Sequence, residues 1–386
     1  MRLGLLIFCR KIIFTNRNIL KEKGPLLLAC NHPNSFFDAL LLGAFFKHPI
    51  HFLARGDAFK HPVAKKLLTA LNAIPIYRLK EGKEYLALND NTFDRCLQIL
   101  KQGGIVLIFT EGLCINQWEI RPLKKGSARI AISAWKSPSV SKQFRILPVS
   151  FNYSSFTHFS KNVIIDAGKP ILKQHLPEIY NEAEQIAELN RLIYTALNEA
   201  MLTEKNNVSL VQFLLSNPEI NKGSYSNIIA GFKKIQRSFY TSGNENIFNR
   251  FTGSKKVSLN TGSLSINMLA GLLLLIPAIV ALVVHLPVYL PIKMIVRKKT
   301  NNTVFYHSVL FGALIIVYPL YVIILSMLCF VVFKNPQFLS LIILLPLLAL
   351  IFLQWKDRVV SVYNYFRLTQ KGRKKLKRVI SCIELC

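Results

Sequence analysis

The chain is 386 residues long, 51% hydrophobic, with a formal net charge of +29 and a mean hydropathy of +0.32. That length excludes a single small domain, and that hydropathy excludes an ordinary soluble enzyme. A balance this basic points to nucleic acid or an anionic membrane surface. No nucleic-acid-binding motif stands out, and basic clusters lie beside apolar segments, so the lipid bilayer is the expected partner and nucleic acid is not. The seven cysteines form no CxxC pair and no zinc-like cluster, which fits free thiols in a reducing compartment.

The first 20 residues predict an interfacial helix, with Leu5, Leu6, Cys9, Ile12 and Ile13 on one face and Arg2, Arg10 and Lys11 around it. The apolar run is too short to span a bilayer. Short apolar runs and helical patterns then alternate. Strands are predicted at 25–30, 50–54, 74–77, 105–109, 145–151 and 163–167, and helices at 35–46, 60–71, 85–101, 127–135 and 178–206. The alternation predicts an α/β domain over residues 21–205, a mixed, mostly parallel sheet flanked by helices. Residues 206–262 are basic and rich in Asn, Ser and Gly, and read as a linker, a lid or a membrane-lying subdomain.

Residues 263–386 read as a C-terminal α-helical membrane region with a basic tail. No charged residue occurs from Val257 to Ile292, from Asn301 to Phe333 or from Asn335 to Trp355, and each run meets the length a span requires. Pro277, Pro287 and Pro291 interrupt the first run, which predicts a kinked helix or a re-entrant hairpin. Basic residues follow it (Lys293, Arg297, Lys298, Lys299) and recur between Lys371 and Arg378. With both clusters cytoplasmic, the second and third runs make one hairpin and the first returns to the side it left, which favours the re-entrant form.

Four stretches carry chemistry. In Asn31-His-Pro-Asn-Ser-Phe-Phe-Asp38 a buried strand runs into a histidine, and a helix starts near the capping residues Asn34 and Ser35. That puts His32 at the carboxyl end of a strand, where open α/β sheets build their sites, with Asp38 one turn into the helix. An imidazole oriented by a carboxylate is what deprotonating a hydroxyl requires. Ile74-Pro-Ile-Tyr-Arg78 ends a strand in an arginine, the side chain best suited to phosphate. Phe109-Thr-Glu111-Gly112 closes the most apolar strand, and Leu147-Pro148-Val149 places a proline in a strand, which predicts an edge or a local break.

The order of these four blocks, from Asn31 to Ser150 and more weakly to Pro170, resembles the glycerolipid acyltransferase family, the glycerol-3-phosphate and 1-acylglycerol-3-phosphate O-acyltransferases. The resemblance implies a glycerol-3-phosphate acyltransferase-like fold and an O-acyltransferase acting in phospholipid biosynthesis. His32 is then the general base, Asp38 its orienting partner and Arg78 the ligand of the acceptor's phosphate, while Glu111 and Gly112 belong to the acceptor-binding block. It implies acyl-CoA or acyl-carrier protein as co-substrate, no tightly bound cofactor and no metal. The implied location is the cell inner membrane with the site on the cytoplasmic face.

Two departures bear on the acceptor. Five residues separate His32 from Asp38 where most members have four, and Leu113-Cys114 stands where the family carries Thr-Arg. Arg121, Lys124 and Lys125 are the candidates to replace that arginine. The preferred acceptor is 1-acylglycerol-3-phosphate, ahead of glycerol-3-phosphate and a lyso-aminolipid. A reading of a different class is a membrane transporter or scaffold with an inactive acyltransferase domain; the intact His32 and Asp38 argue against it.

Overall fold

A computed structural model describes residues 1–77, 87–177, 181–203, 208–220, 227–241, 261–300, 303–368, 370, 372–374 and 377. Strands β1 (Cys9–Phe14), β2 (Leu26–Cys30), β3 (Ile50–Arg55), β4 (Ala73–Ile76), β5 (Ile105–Phe109), β6 (Arg145–Tyr153) and β7 (Lys161–Ala167) form one sheet in the order β1-β7-β6-β2-β5-β3-β4. All neighbours pair parallel except β6 and β7, which a short connection joins as an antiparallel hairpin. β2 and β5 sit in the middle and are uninterrupted apolar runs, as strands covered on both faces must be.

Helices α1 (Arg2–Phe8), α2 (Phe36–Phe45), α3 (Pro62–Ala70), α4 (Leu88–Lys101), α5 (Gly126–Lys136) and α6 (Glu182–Glu199) flank the sheet. α1 and α2 cover one face through Leu5, Phe8, Phe37 and Leu41, and α4, α5 and α6 cover the other through Leu100, Ala131 and Leu189. Gly103, at φ 73°, ends α4 in the left-handed conformation that glycine adopts without strain.

Three expectations are corrected. The N-terminal segment is not one interfacial helix. α1 stops at Phe8, and Cys9–Phe14 is an edge strand parallel to β7. Six residues with apolar positions two and three apart fit either period, and the unpaired edge of β7 decides between them. Second, β6 is an interior strand, so Pro148 marks a local break and not an edge. Its carbonyl accepts from Gly168 N–H at 2.9 Å just beyond the end of β7, so the missing donor faces a gap in the ladder. Third, within 206–262 the described helices α7 (Val208–Ser216) and α8 (Ile228–Thr241) are part of the core. Leu210, Phe213, Leu214, Ile228 and Phe232 bury against Ile13 and Ile164 at the β1–β7 edge.

The C-terminal region is helical: α9 (Thr261–Leu273), α10 (Leu275–Thr300), α11 (Tyr306–Phe333) and α12 (Leu341–Arg367). The helix beginning at Leu275, the helix beginning at Tyr306 and the stretch Pro336–Arg367 are each long and apolar enough to cross a membrane. The first apolar run is a kinked helix and not a re-entrant hairpin. Leu274 N–H donates to Ala270 and Ala278 N–H donates to Leu274, so the ladder continues through the break between α9 and α10. Between these two bonds Pro277 has no N–H to give the ladder, which fits a kink there. His285 Nε2 meets Tyr318 Oη at 3.0 Å and ties α10 to α11.

The α/β domain is locked to this bundle at one end. Ser308 and Phe311, in the first turns of α11, pack on α2, and Arg10 of β1 pairs with Asp357 of α12 at 2.7 Å. The basic end of α10 (Arg297, Lys298, Lys299) and the basic end of α12 lie at that same end, because α10 runs into α11 through a short loop and α12 runs antiparallel to α11.

Candidate active site

The site forms where β2 and β5 end side by side. Asn31 fixes the end of β2. Its carboxamide accepts from Phe151 N–H at 2.8 Å and donates to Phe151 O at 3.3 Å, so it is a staple between β2 and β6. His32 follows, 17% exposed, with its ring stacked on Phe109 at 3.6 Å between centroids. Its Nδ1 lies 3.0 Å from Asp38 Oδ2, which leaves Nε2 as the nitrogen able to accept a proton.

Asp38 is fully buried and fully engaged. Oδ2 also accepts from Asn34 N–H at 2.8 Å, and Oδ1 accepts from Tyr153 O–H at 2.5 Å. Burial, then the Asp38 charge, pushes the Tyr153 phenol well above its ordinary range, so it stays protonated and donates. The extra residue between His32 and Asp38 is absorbed by a tight loop in which Ser35 takes φ 53° and its N–H points to Cys114 Sγ at 2.8 Å.

Glu111, expected among the acceptor-binding residues, is 4% exposed and turned toward protein groups. Oε1 accepts from His32 N–H at 3.0 Å and Oε2 from Arg121 Nε at 2.8 Å. Its carboxylate anchors the loop that carries His32. Arg121, expected as a candidate phosphate ligand, is engaged there and on Leu113 O. Gly112 has φ 67°, and a Cβ on it would come within 2.9 Å of Lys124 Cγ, so both backbone and space require glycine. Lys124 and Lys125 are exposed where α5 begins, and Lys124 N–H is pinned to Thr110 O at 2.8 Å. Arg78 lies outside the described residues.

Cys30 and Cys114 flank the dyad, and burial pushes both thiols up, so neither is a thiolate at neutral pH. The arrangement suits proton abstraction by His32 and supplies no activated thiol.

Sequence reasoning missed three participants. Tyr153 sits at the end of β6, where alternation puts it on the α2 side of the sheet with Phe151. Ser308 Oγ accepts from Phe37 N–H at 3.2 Å and donates to Asn34 O at 3.3 Å, capping α2 from the bundle. Lys161 is buried, with Nζ 3.2 Å from His307 Nδ1 and stacked near the Phe37 and Tyr153 rings. Only Tyr153 left a signal, since it ends a strand next to β2.

Residues 11–152 match the model of the Acyltransferase family. The chain is 24% identical to the 1-acyl-sn-glycerol-3-phosphate acyltransferase of Bacillus subtilis over 190 residues, 45% of this chain and 90% of that protein. It is 25% identical to the same-named protein of Borreliella burgdorferi, over 41% of this chain and 57% of that one. A probable 1-acyl-sn-glycerol-3-phosphate acyltransferase of Mycoplasma genitalium is 27% identical over 36% of this chain and 48% of its own. Among solved structures, the 1-acyl-sn-glycerophosphate acyltransferase of Thermotoga maritima aligns with TM-score 0.36 and 17% identity, over 51% of this chain and 75% of that one. The domain and its relatives define an acyltransferase. Residues 11–152 thus form an Acyltransferase domain similar to these 1-acylglycerol-3-phosphate acyltransferases, and the chain adds to it a C-terminal region with three long apolar helices.

Proposed function

We propose that this chain transfers a fatty acyl group from an acyl thioester, acyl-CoA or acyl-carrier protein, to the free hydroxyl of 1-acylglycerol-3-phosphate at the cytoplasmic face of the inner membrane. The observation that carries the reading is His32 held through Nδ1 on a buried, fully hydrogen-bonded Asp38. His32 Nε2 takes the hydroxyl proton as the oxygen attacks the thioester carbonyl. Asp38 stabilises the imidazolium that results. The carbon–sulfur bond breaks, the thiolate leaves, and the proton on His32 passes to it. No covalent acyl-enzyme is needed, in keeping with the protonated cysteines nearby.

The relatives' names favour 1-acylglycerol-3-phosphate as acceptor. Lys124 and Lys125, beside the N-terminus of α5, supply positive charge for its phosphate, since helix N-termini and lysines both favour anions. Arg78 carries the same task by resemblance. The cytoplasmic assignment rests on the basic ends of α10 and α12, which share one end with the catalytic domain.

The test is acyl transfer by the full chain in nanodiscs, with each donor, to glycerol-3-phosphate, 1-acylglycerol-3-phosphate and a lyso-aminolipid. Phosphatidate formed from 1-acylglycerol-3-phosphate is the expected product. A product with one of the other two acceptors alone would replace the acceptor assignment, and none with any acceptor would leave the scaffold reading.

A further inference from the structure

α3 is amphipathic yet buries little of its apolar face. None of its residues is buried, whereas α2 beside it buries five. Val63 and Leu67, one turn apart on a single face, are 68% and 57% exposed. Helical geometry puts Lys66 beside that pair, and it is exposed. Ala64 and Leu68, about a quarter turn further round the helix, are half-buried.

The topology says where this face looks. The crossovers from β2 to β3 and from β3 to β4 both join parallel strands and run the same way along the sheet, so right-handed connection puts α2 and α3 on the same face. That face also receives α10 and α11. The end of β3 meets the bundle directly, with the Arg55 guanidinium 5.8 Å from the ring of Phe305 in the turn between α10 and α11. This turn follows the basic end of a long apolar helix, the level of the lipid headgroups. On the other flank of α2, α1 exposes Leu3 and Leu6.

We propose that α3 lies in the bilayer interface, with Val63 and Leu67 among the upper acyl carbons and Lys66 on anionic headgroups, so that the active-site end of the sheet rests on the membrane that holds its lipid acceptor. The proposal rests on reading the apolar helices as membrane spans and does not depend on which acceptor is used. Apolar side chains beside a lysine whose stem snorkels outward are the pattern of an in-plane helix. Lysine–headgroup attraction supplies the match to anionic lipid.

The test uses the full chain in nanodiscs of phosphatidylethanolamine and phosphatidylglycerol. In Leu67→Trp, the emission gained over the wild type should be quenched by lipid brominated at the upper acyl carbons, and less so when Lys66→Gln is added. Val63→Ser/Leu67→Ser should lower the rate on bilayer-resident acceptor roughly tenfold, given the apolar area lost from the interface, and leave the rate on a short-chain, water-soluble acceptor unchanged. Added emission that the brominated lipid does not quench would overturn the proposal, whatever the enzyme's activity. So would a rate loss seen only with acyl-carrier protein as donor, which would make α3 a dock for that acidic protein. Quenching with no activity on any acceptor would instead uphold α3's placement and count against the acyl-transfer reading.

Discussion

Asp38 spends both oxygens on three donors inside the fold: His32, Asn34 N–H and Tyr153. A hydrogen bond to a buried charge contributes about 1.5–3 kcal/mol, so removing one donor should misorient the dyad without unfolding the domain. Tyr153→Phe is expected to lower kcat roughly tenfold with the acceptor's KM unchanged, read by steady-state kinetics. Lys124→Ala/Lys125→Ala is expected to do the reverse, raising the acceptor's KM with little change in kcat. An unchanged KM would remove both lysines from phosphate binding. Lys161 is a different case. Burial lowers its ammonium from 10.5 to about 7, against smaller opposing effects of Cys9 and Asp38. Between about pH 7 and 10 the unfolded chain holds a proton that the folded chain has released, so this residue's contribution to stability rises with pH in that window. Lys161→Met should flatten the rise of the thermal midpoint over that range. An identical pH dependence in the two proteins would show Lys161 to titrate normally.

At the scale of elements, the start of α2 shows what a sequence reveals and what it conceals. Ser35 stands at the N-cap as its type predicts, but its backbone is left-handed and its side chain caps nothing. The cap comes from Ser308 of α11. Loss of a cap costs about 0.5–2 kcal/mol, here at the helix that carries Asp38. Ser308→Ala should therefore lower kcat roughly fivefold, with Ser308→Thr restoring it because the hydroxyl returns. Equal rates in all three would make the cap structural only. The blocks around His32, Glu111 and Pro148 were legible because each ends or occupies a strand whose apolar run announces it. Ser308, and Arg121 as the partner of Glu111, were not, since nothing local links them to what they touch. β1 was concealed for another reason: its six residues satisfy a helical face and a strand equally, and only the edge of β7 settles the matter.

At the scale of the molecule, the helical bundle is part of the active-site scaffold. α11 caps α2, α12 holds β1 through Asp357 and Arg10, and Val288 and Ile292 of α10 join the core beneath α2. The apolar runs were legible as helices long enough to cross a membrane from charge-free length alone, whereas the path of the first run was not, because prolines at 287 and 291 are compatible with a turn or a kink. The central claim is that His32, held by Asp38, removes the acceptor's proton. The measurement that tests it most directly is the initial rate of acyl transfer to 1-acylglycerol-3-phosphate by wild type and His32→Ala, with thermal midpoints measured alongside. The account predicts a loss of about 10²–10⁴-fold at an unchanged midpoint. A folded His32→Ala protein that keeps the wild-type rate would contradict it.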